Sequence, residues 1–421
     1  PKVDDLSERI KPFFSMWKPI YGKTDEAAAN MIYADGVHVL LDLSGHTAGN
    51  RLLMFGHKPS PVQVSWLGYF ATTGLNEMDY LIGDPHVTPP QDDDHFTEKV
   101  WRLPETRWCF TPPNADVEVS VPPAVKHGYV TFGCFNNTTK VNDKVVALWT
   151  KVLNAIPNSR LLLKAKQFHD QMARESIIQR FAAQGINSKR ISLEESEDRQ
   201  KYFAAYNQID ITLDPFPFTG GTTSVESLWM GVPLITLAGD SLISRQGGGV
   251  LTNAGLPDWI ADDEESYLAK AIIFASDLDK LARIRANLRS HVLASPLFDA
   301  PRFARNIENA LWEMWNQWDH LDHSSATKRM RELQKESTQN QPTKEEASNP
   351  PQNQITALVN LYSSGQLTET EQACRELLQS YPQSSVITNV LGAVLRGQGK
   401  LQEAVESYDK AIQLKPDFAE A

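Results

Sequence analysis

The sequence predicts an α/β protein built on parallel sheets, followed by an all-α repeat segment. Three observations carry this. Short β-branched runs alternate with helix-length stretches from residue 37 to residue 256, the pattern of strands joined by helical crossovers. Within that region the run 209–213 leads into Gly220-Gly221 and then a helical stretch from Thr222 to about Met230. Past residue 355 the chain repeats: Gly365 and Gly399, Leu367 and Leu401, Leu378 and Ile412, and Pro382 and Pro416 are each 34 positions apart.

In chain order, residues 1–122 read as a first lobe. Residues 26–33 are helical in pattern. Residues 37–43 form a strand that ends in the polar turn 44–49. Residues 62–66 form a second strand, followed by the turn 67–74, and residues 80–83 a third. The Pro-rich pieces 87–91 and 111–123 are loops, and the second marks the lobe boundary. Residues 123–322 read as a second lobe. Strands are expected at 129–134, 160–164, 191–193, 209–213 and 233–237, and helices at 143–155, 170–184, 199–206 and 222–230. Closing helices fall at 264–292 and at 301–322, the latter carrying Trp312, Trp315 and Trp318. Ligands of parallel sheets sit at the carboxyl ends of the strands. The turns after Leu43, Trp66, Cys134 and Leu213 are therefore expected to face one cleft. Residues 323–354 are poor in apolar side chains and read as a flexible linker. Residues 355–421, with their 34-residue period, read as two tetratricopeptide repeats.

The 421 residues carry a formal net charge of −11. That balance argues against a general binder of nucleic acid or anionic membranes, and leaves room for a local basic pocket. Three widely spaced cysteines form no zinc pattern and suit a reducing, cytoplasmic setting. No run approaches the roughly 20 apolar residues of a membrane span. The chain opens on Pro1, and its abrupt ends lead us to expect a piece of a longer protein.

The segment from Ile209 to Asp240 holds the densest chemistry. A strand, a glycine turn and a helix start bring unpaired N–H groups and the positive end of a helix dipole to one spot. Glycines let a phosphate approach the backbone. Thr222 and Thr223 add hydroxyls, and Glu226, one turn on, can take a ribose diol. The natural guest is a nucleotide diphosphate. An ordinary βαβ unit capped by threonine is the other reading of the same residues.

Four segments in order carry a resemblance to a known family: Gly45-His-Thr-Ala-Gly-Asn-Arg51, Pro61-Val-Gln-Val-Ser-Trp-Leu-Gly-Tyr69, Phe135-Asn-Asn-Thr-Thr-Lys140 and Gly220-Gly-Thr-Thr-Ser-Val-Glu226. Over roughly residues 1–320 the chain resembles the catalytic region of the tetratricopeptide-linked protein O-GlcNAc transferases in their bacterial form. The plant SPINDLY-type O-fucosyltransferases are a closely similar branch. The resemblance implies two Rossmann-like lobes facing a cleft, the GT-B arrangement, here with an incomplete N-terminal lobe. It also implies inverting, metal-independent transfer of N-acetylglucosamine from UDP-GlcNAc to Ser or Thr of proteins. The implied partners are a nucleotide sugar and protein or peptide acceptors, the latter held through the repeats; no cofactor, nucleic acid or membrane is implied.

By that resemblance Lys140 holds the diphosphate and stabilises the charge of the departing nucleotide, where no metal motif offers an alternative. A solvated lysine at a helix start is its other reading. Asn137 falls at a phosphate- or nucleotide-contacting amide, or is a turn former. Thr222 and Thr223 match phosphate-binding hydroxyls, and Glu226 the ribose carboxylate, or else a surface carboxylate. Arg199 and Tyr202 fall where the family has Lys and His contacts to the nucleotide. Arg can still neutralise phosphate, and Tyr can stack on a base. His46 and Arg51 are placed on the acceptor side of the cleft, with a loop-stabilising role as the alternative for His46. Leu67 and Gly68 match sugar contacts, or form a tight turn. Phe218 lies near the sugar's acetyl group, and Gly221 replaces a histidine of the animal enzymes. The family's Asp-Phe-x-x-His-Pro segment has no match in residues 1–60, so weak nucleotide binding and poor catalysis are expected of this chain alone. Two competing expectations stand beside the first: a protein O-fucosyltransferase using GDP-fucose, and a catalytically inert peptide-binding repeat scaffold.

Overall fold

The structure is a computed structural model that describes residues 4–195, 198–320, 350, 352–363 and 366–414. It divides into two compact units, Pro1–Leu321 and Asp322–Ala421. The expected linker 323–354 lies almost wholly outside the described residues, as do Gly365 and Pro416 of the repeat pairs.

The first unit holds two parallel sheets. One is four-stranded, in the order β1 (Val39–Asp42), β2 (Val62–Ser65), β3 (Tyr80–Gly83) and β4 (Lys99–Arg102). The other contains β5 (Thr131–Cys134), β6 (Arg160–Lys164), β7 (Ile191–Glu194), β8 (Ile211–Leu213), β9 (Leu234–Leu237) and β10 (Ile260–Ala261) in the spatial order β10-β9-β8-β5-β6-β7. The helices of this unit are α1 (Asp5–Ile10), α2 (Asp25–Ala34), α3 (Leu52–Gly56), α4 (Pro123–His127), α5 (Asp143–Ala155), α6 (Gln171–Ala183), α7 (Arg199–Ala205), α8 (Thr222–Trp229), α9 (Leu242–Asn253), α10 (Glu264–Ser276), α11 (Leu278–Leu293) and α12 (Ala300–Asp319). None of the described helices is long and apolar enough to cross a membrane.

The second sheet is buried on both faces. Phe132, Leu161, Leu163, Ile211 and Leu234 pack with Val145, Trp149 and Phe181 of the covering helices, which is why these strands read as continuous apolar runs. Asn142 caps α5 by accepting from the Val145 N–H at 3.1 Å, and Asp170 caps α6 through the Met172 N–H at 2.9 Å.

Three differences from the sequence expectation have physical causes. Strand β4 was not expected, because Lys99 and Arg102 at its ends mask the apolar pair between them. Helix α9 was not expected either, because Gly247-Gly248-Gly249 disfavours helix. The glycines are needed for close packing: a methyl group at Gly247 would lie 2.3 Å from the Thr236 hydroxyl oxygen and 2.4 Å from Asp214 Oδ2. Helix α12 was assigned to the second lobe but packs on the first sheet. Its Ala310 and Met314 are buried against Val62, Val64 and Ile82, Phe303 stacks on Trp66 at 5.8 Å, and Trp315 meets His38 edge-on at 4.7 Å. The apolar stripe of an amphipathic helix does not say which sheet it will cover.

The Pro-rich stretch after residue 110 is fastened by Arg285. This arginine of α11 is buried and donates to the carbonyls of Ser120 (2.7 Å), Ile209 (2.7 Å) and Tyr206 (3.1 Å).

In the second unit the helices Gln352–Ser363, Leu367–Ser380, Ser385–Gly397 and Leu401–Leu414 share a core of Leu358, Cys374, Ile387, Leu391, Leu395 and Ala404. Gly392 admits the Tyr408 ring, which would lie 2.9 Å from a methyl group there. These are the helix pairs that the repeat period leads one to expect.

Arg285→Met should lower stability by about 3 kcal/mol, because three carbonyls lose their buried donor. A urea midpoint equal to that of the wild type would contradict this account.

Candidate functional site

Strand order in the second sheet reverses between β5 and β8, which pair in parallel with Phe132 opposite Ile211. Such a switch point opens a crevice at the carboxyl ends of the two strands. The loop from Phe135 to Val141 leaves β5 there, and the loop from Asp214 to Gly221 leaves β8 beside it.

Asp214 shapes the second of these loops. Its Oδ1 accepts the Gly220 N–H at 2.7 Å, and its Oδ2 accepts the Thr236 hydroxyl at 2.7 Å. Burial pushes the carboxyl up to about 6, against the pull of its hydrogen bonds and of Lys140. Gly220 has no room for a side chain, since a methyl group would lie 2.2 Å from Ser224 Oγ.

Lys140 ends a single 3-10 turn, Thr138–Lys140. Its ammonium donates to Asn136 Oδ1 at 3.1 Å and to the Thr219 carbonyl at 3.0 Å, and lies 3.8 Å from the centre of the Phe218 ring. Burial lowers its pKa, while Asp214 acts in the other direction. Asn136 Oδ1 also accepts the Thr223 hydroxyl at 3.0 Å. The ammonium and the first turn of α8 therefore converge on one oxygen. The solvated-lysine reading does not hold. Nor does simple threonine capping, because the N-cap of α8 is Gly221 and no side chain caps it. Thr222 is exposed at that terminus, where the dipole and the free N–H groups favour an anion.

Several expected contacts need correction. Asn137 is exposed and caps its own turn through Thr139 N and Oγ1, both at 3.0 Å. Its neighbour Asn136 is the amide that reaches the site. Glu226 is buried rather than on a surface. Its Oε2 accepts the Tyr202 hydroxyl at 2.8 Å, and Arg199 Nη1 lies 2.9 Å from Oε1, outside hydrogen-bond geometry. Tyr202 is buried among Phe135, Phe203 and Tyr206 and offers no open face to a base. It orients Glu226 instead. Arg51 donates to Asp25 Oδ1 at 2.6 Å and to the Lys23 carbonyl at 3.0 Å, so it anchors the segment around α2 rather than an acceptor. Leu67 adopts a φ of 67°, and a methyl group at Gly68 would lie 2.0 Å from the Leu43 carbonyl oxygen. This pair forms the tight turn where the exits of β1 and β2 touch.

The first lobe meets this crevice through aromatic rings. Phe70 packs on Phe218 at 4.9 Å, Tyr69 stacks on Phe70 at 4.4 Å, and His46 meets Tyr69 edge-on at 5.3 Å. His46 Nε2 also lies 3.2 Å from the Thr72 carbonyl. The turns after Leu43, Trp66, Cys134 and Leu213 do face one cleft. Trp108 explains the glycine at 221, since a methyl group there would lie 3.1 Å from its ring. Asn136, Asp214, Tyr206 and Phe70 escaped the sequence reading. Asn136 lies in the segment from Phe135 to Lys140, and Asp214 in the stretch from Ile209 to Asp240. Nothing in the sequence singles out Phe70 or Tyr206.

Asp214 holds its proton in the folded chain up to about pH 6, whereas an unfolded aspartate releases it near pH ~4. Between those limits the folded state binds the extra proton, so stability falls as pH rises. Asp214→Asn cannot ionise. From pH ~4 to pH ~6 its stability should gain on that of the wild type, by up to about 3 kcal/mol. Melting curves of both chains across this window check it, and parallel curves would refute it.

Comparison with known proteins agrees with this architecture. The model of glycosyl transferase family 41 matches residues 19–110 and 124–307, and a TPR repeat model matches residues 392–421. A Solanum lycopersicum protein named as a probable UDP-N-acetylglucosamine–peptide N-acetylglucosaminyltransferase SPINDLY is 36% identical over 85% of this chain. The chain spans only 38% of that relative's length. An Arabidopsis thaliana protein, named as a probable enzyme of the same activity and called SEC, is 30% identical over 73% of the chain and 32% of its own length. Among solved structures, a mutant of the Thermobaculum terrenum O-GlcNAc transferase superposes with a TM-score of 0.72 at 34% identity. It covers 76% of this chain and 60% of its own. With the family model matched across both lobes, this chain belongs to glycosyl transferase family 41.

Proposed function

We propose that this chain is the donor-binding and transfer unit of a protein O-glycosyltransferase that uses UDP-N-acetylglucosamine and acts on Ser or Thr hydroxyls. The observation that carries the reading is the convergence of the Lys140 ammonium and the Thr223 hydroxyl on Asn136, beside the uncapped start of α8. A half-desolvated cation and a free helix N-terminus form a receptor for a diphosphate. Glu226, oriented by Tyr202, takes the ribose, and Arg199 supplies a second cation nearby. The acceptor hydroxyl enters from the side of His46 and Tyr69, and its oxygen attacks the anomeric carbon with inversion while its proton passes to water or to the departing diphosphate. As the bond to UDP breaks, negative charge grows on the diphosphate. Lys140 and the helix dipole lower the barrier by holding that charge.

An inert scaffold is disfavoured by this site, because keeping an amine desolvated costs stability and needs a purpose. GDP-fucose is the competing donor, favoured by the bulk of Phe218 close to Lys140. The repeats supply the protein-binding element for acceptors. A cytoplasmic setting suits the free cysteines Cys109, Cys134 and Cys374.

Calorimetric titration with UDP and GDP tests the reading. UDP should bind more tightly than GDP, and Lys140→Met should weaken UDP by about tenfold or more. Equal UDP affinity in the variant would sink the proposal, and a preference for GDP would move it to the fucosyl donor.

A further inference from the structure

Phe218 stands between two groups that come from different sheets. One side of its ring packs on Phe70, from the loop after β2, with centroids 4.9 Å apart. The Lys140 ammonium lies 3.8 Å from its centre. Lys140 is otherwise held by two acceptors of its own lobe, Asn136 Oδ1 and the Thr219 carbonyl. The ring therefore adds a third direction of restraint, and it is the contact that leads from the ammonium to the first lobe. Behind Phe70 the stack continues through Tyr69 to His46.

We propose that Phe218 is a positioning residue that couples the first-lobe loop 67–74 to the Lys140 ammonium. The coupling rests on reading Lys140 as the diphosphate-binding group. Phe70 fixes where the Phe218 ring sits. The ring fixes where the ammonium points and keeps water from one side of it, which strengthens the cation's pull on an anion. A change at the acceptor side of the cleft then reaches the donor side through one aromatic pair.

A double-mutant cycle on the full chain, read by calorimetric titration with UDP, tests this. Phe70→Leu alters none of the residues that touch Lys140, yet by loosening the Phe218 ring it should weaken UDP by about threefold. Phe218→Leu should weaken it by about tenfold. The double variant should match Phe218→Leu alone, because Phe70 acts through Phe218. Phe218→Tyr keeps the ring and should stay within about twofold of the wild type. Phe218→Met takes the place of Phe218→Leu if melting curves show that the leucine variant does not fold. Wild-type affinity in Phe70→Leu, additive losses in the double variant, or a tyrosine variant as weak as the leucine one would each overturn the coupling. Lys140→Met separates the two levels. If it leaves UDP affinity unchanged, the site reading itself fails; if it weakens UDP while the cycle is additive, the coupling alone fails.

Discussion

Strands β5 and β8 lie side by side though far apart in sequence, and the crevice exists because they do. Their parallel register carries the end of each strand to the same edge of the sheet. Neither loop alone makes a receptor. The loop after β5 brings a cation and an amide, and the loop after β8 brings a glycine turn and a helix start. Asp214 keeps the second loop at the right height by holding Gly220 and Thr236 at once. Gly247 permits this, since any side chain there would collide with both Asp214 and Thr236. Strand pairing, buried carboxylate and glycine-bearing α9 thus form one constraint.

Electrostatics inside this constraint run against stability. Burial makes the charged forms of Lys140 and Asp214 less favourable, lowering one pKa and raising the other. Each partly relieves the other, and the Thr236 and Gly220 hydrogen bonds offset a further part of the cost at Asp214. Burial, with the Glu226 carboxylate beside it, pushes the Tyr202 hydroxyl upward in pKa, and that hydroxyl donates to Glu226 at 2.8 Å. Perturbed groups thus gather at one strand-end crevice, the arrangement in which functional sites are enriched.

Local pattern exposed much of this in advance. The strand at 160–164 and the helix at 143–155 have the bounds their periodicity implies, because one buried face dictates each. The turn that carries the proposed anion site was legible for the same reason: glycine turn, hydroxyls and helix start are adjacent in the chain. What failed were assignments that depend on which way a side chain turns. Asn136 and Asn137 are chemically alike and differ by one residue, yet one turns inward to Lys140 and the other caps its own turn. Arg51 could have been free for an acceptor, but Asp25 and the Lys23 carbonyl claim it.

The sequence by itself determined the alternation of strands and helices, the 34-residue repeat and the four segments that mark the family. All are set by short-range spacing, which the chain displays directly. Tertiary structure alone decided that α12 returns to the first sheet, that Glu226 is buried under Tyr202, and that Phe70 reaches Phe218 across the cleft. Those outcomes depend on the order of strands in space and on which buried polar groups find partners. Neither is encoded at any single spacing along the chain, because long-range pairing is chosen by the packing of the whole lobe.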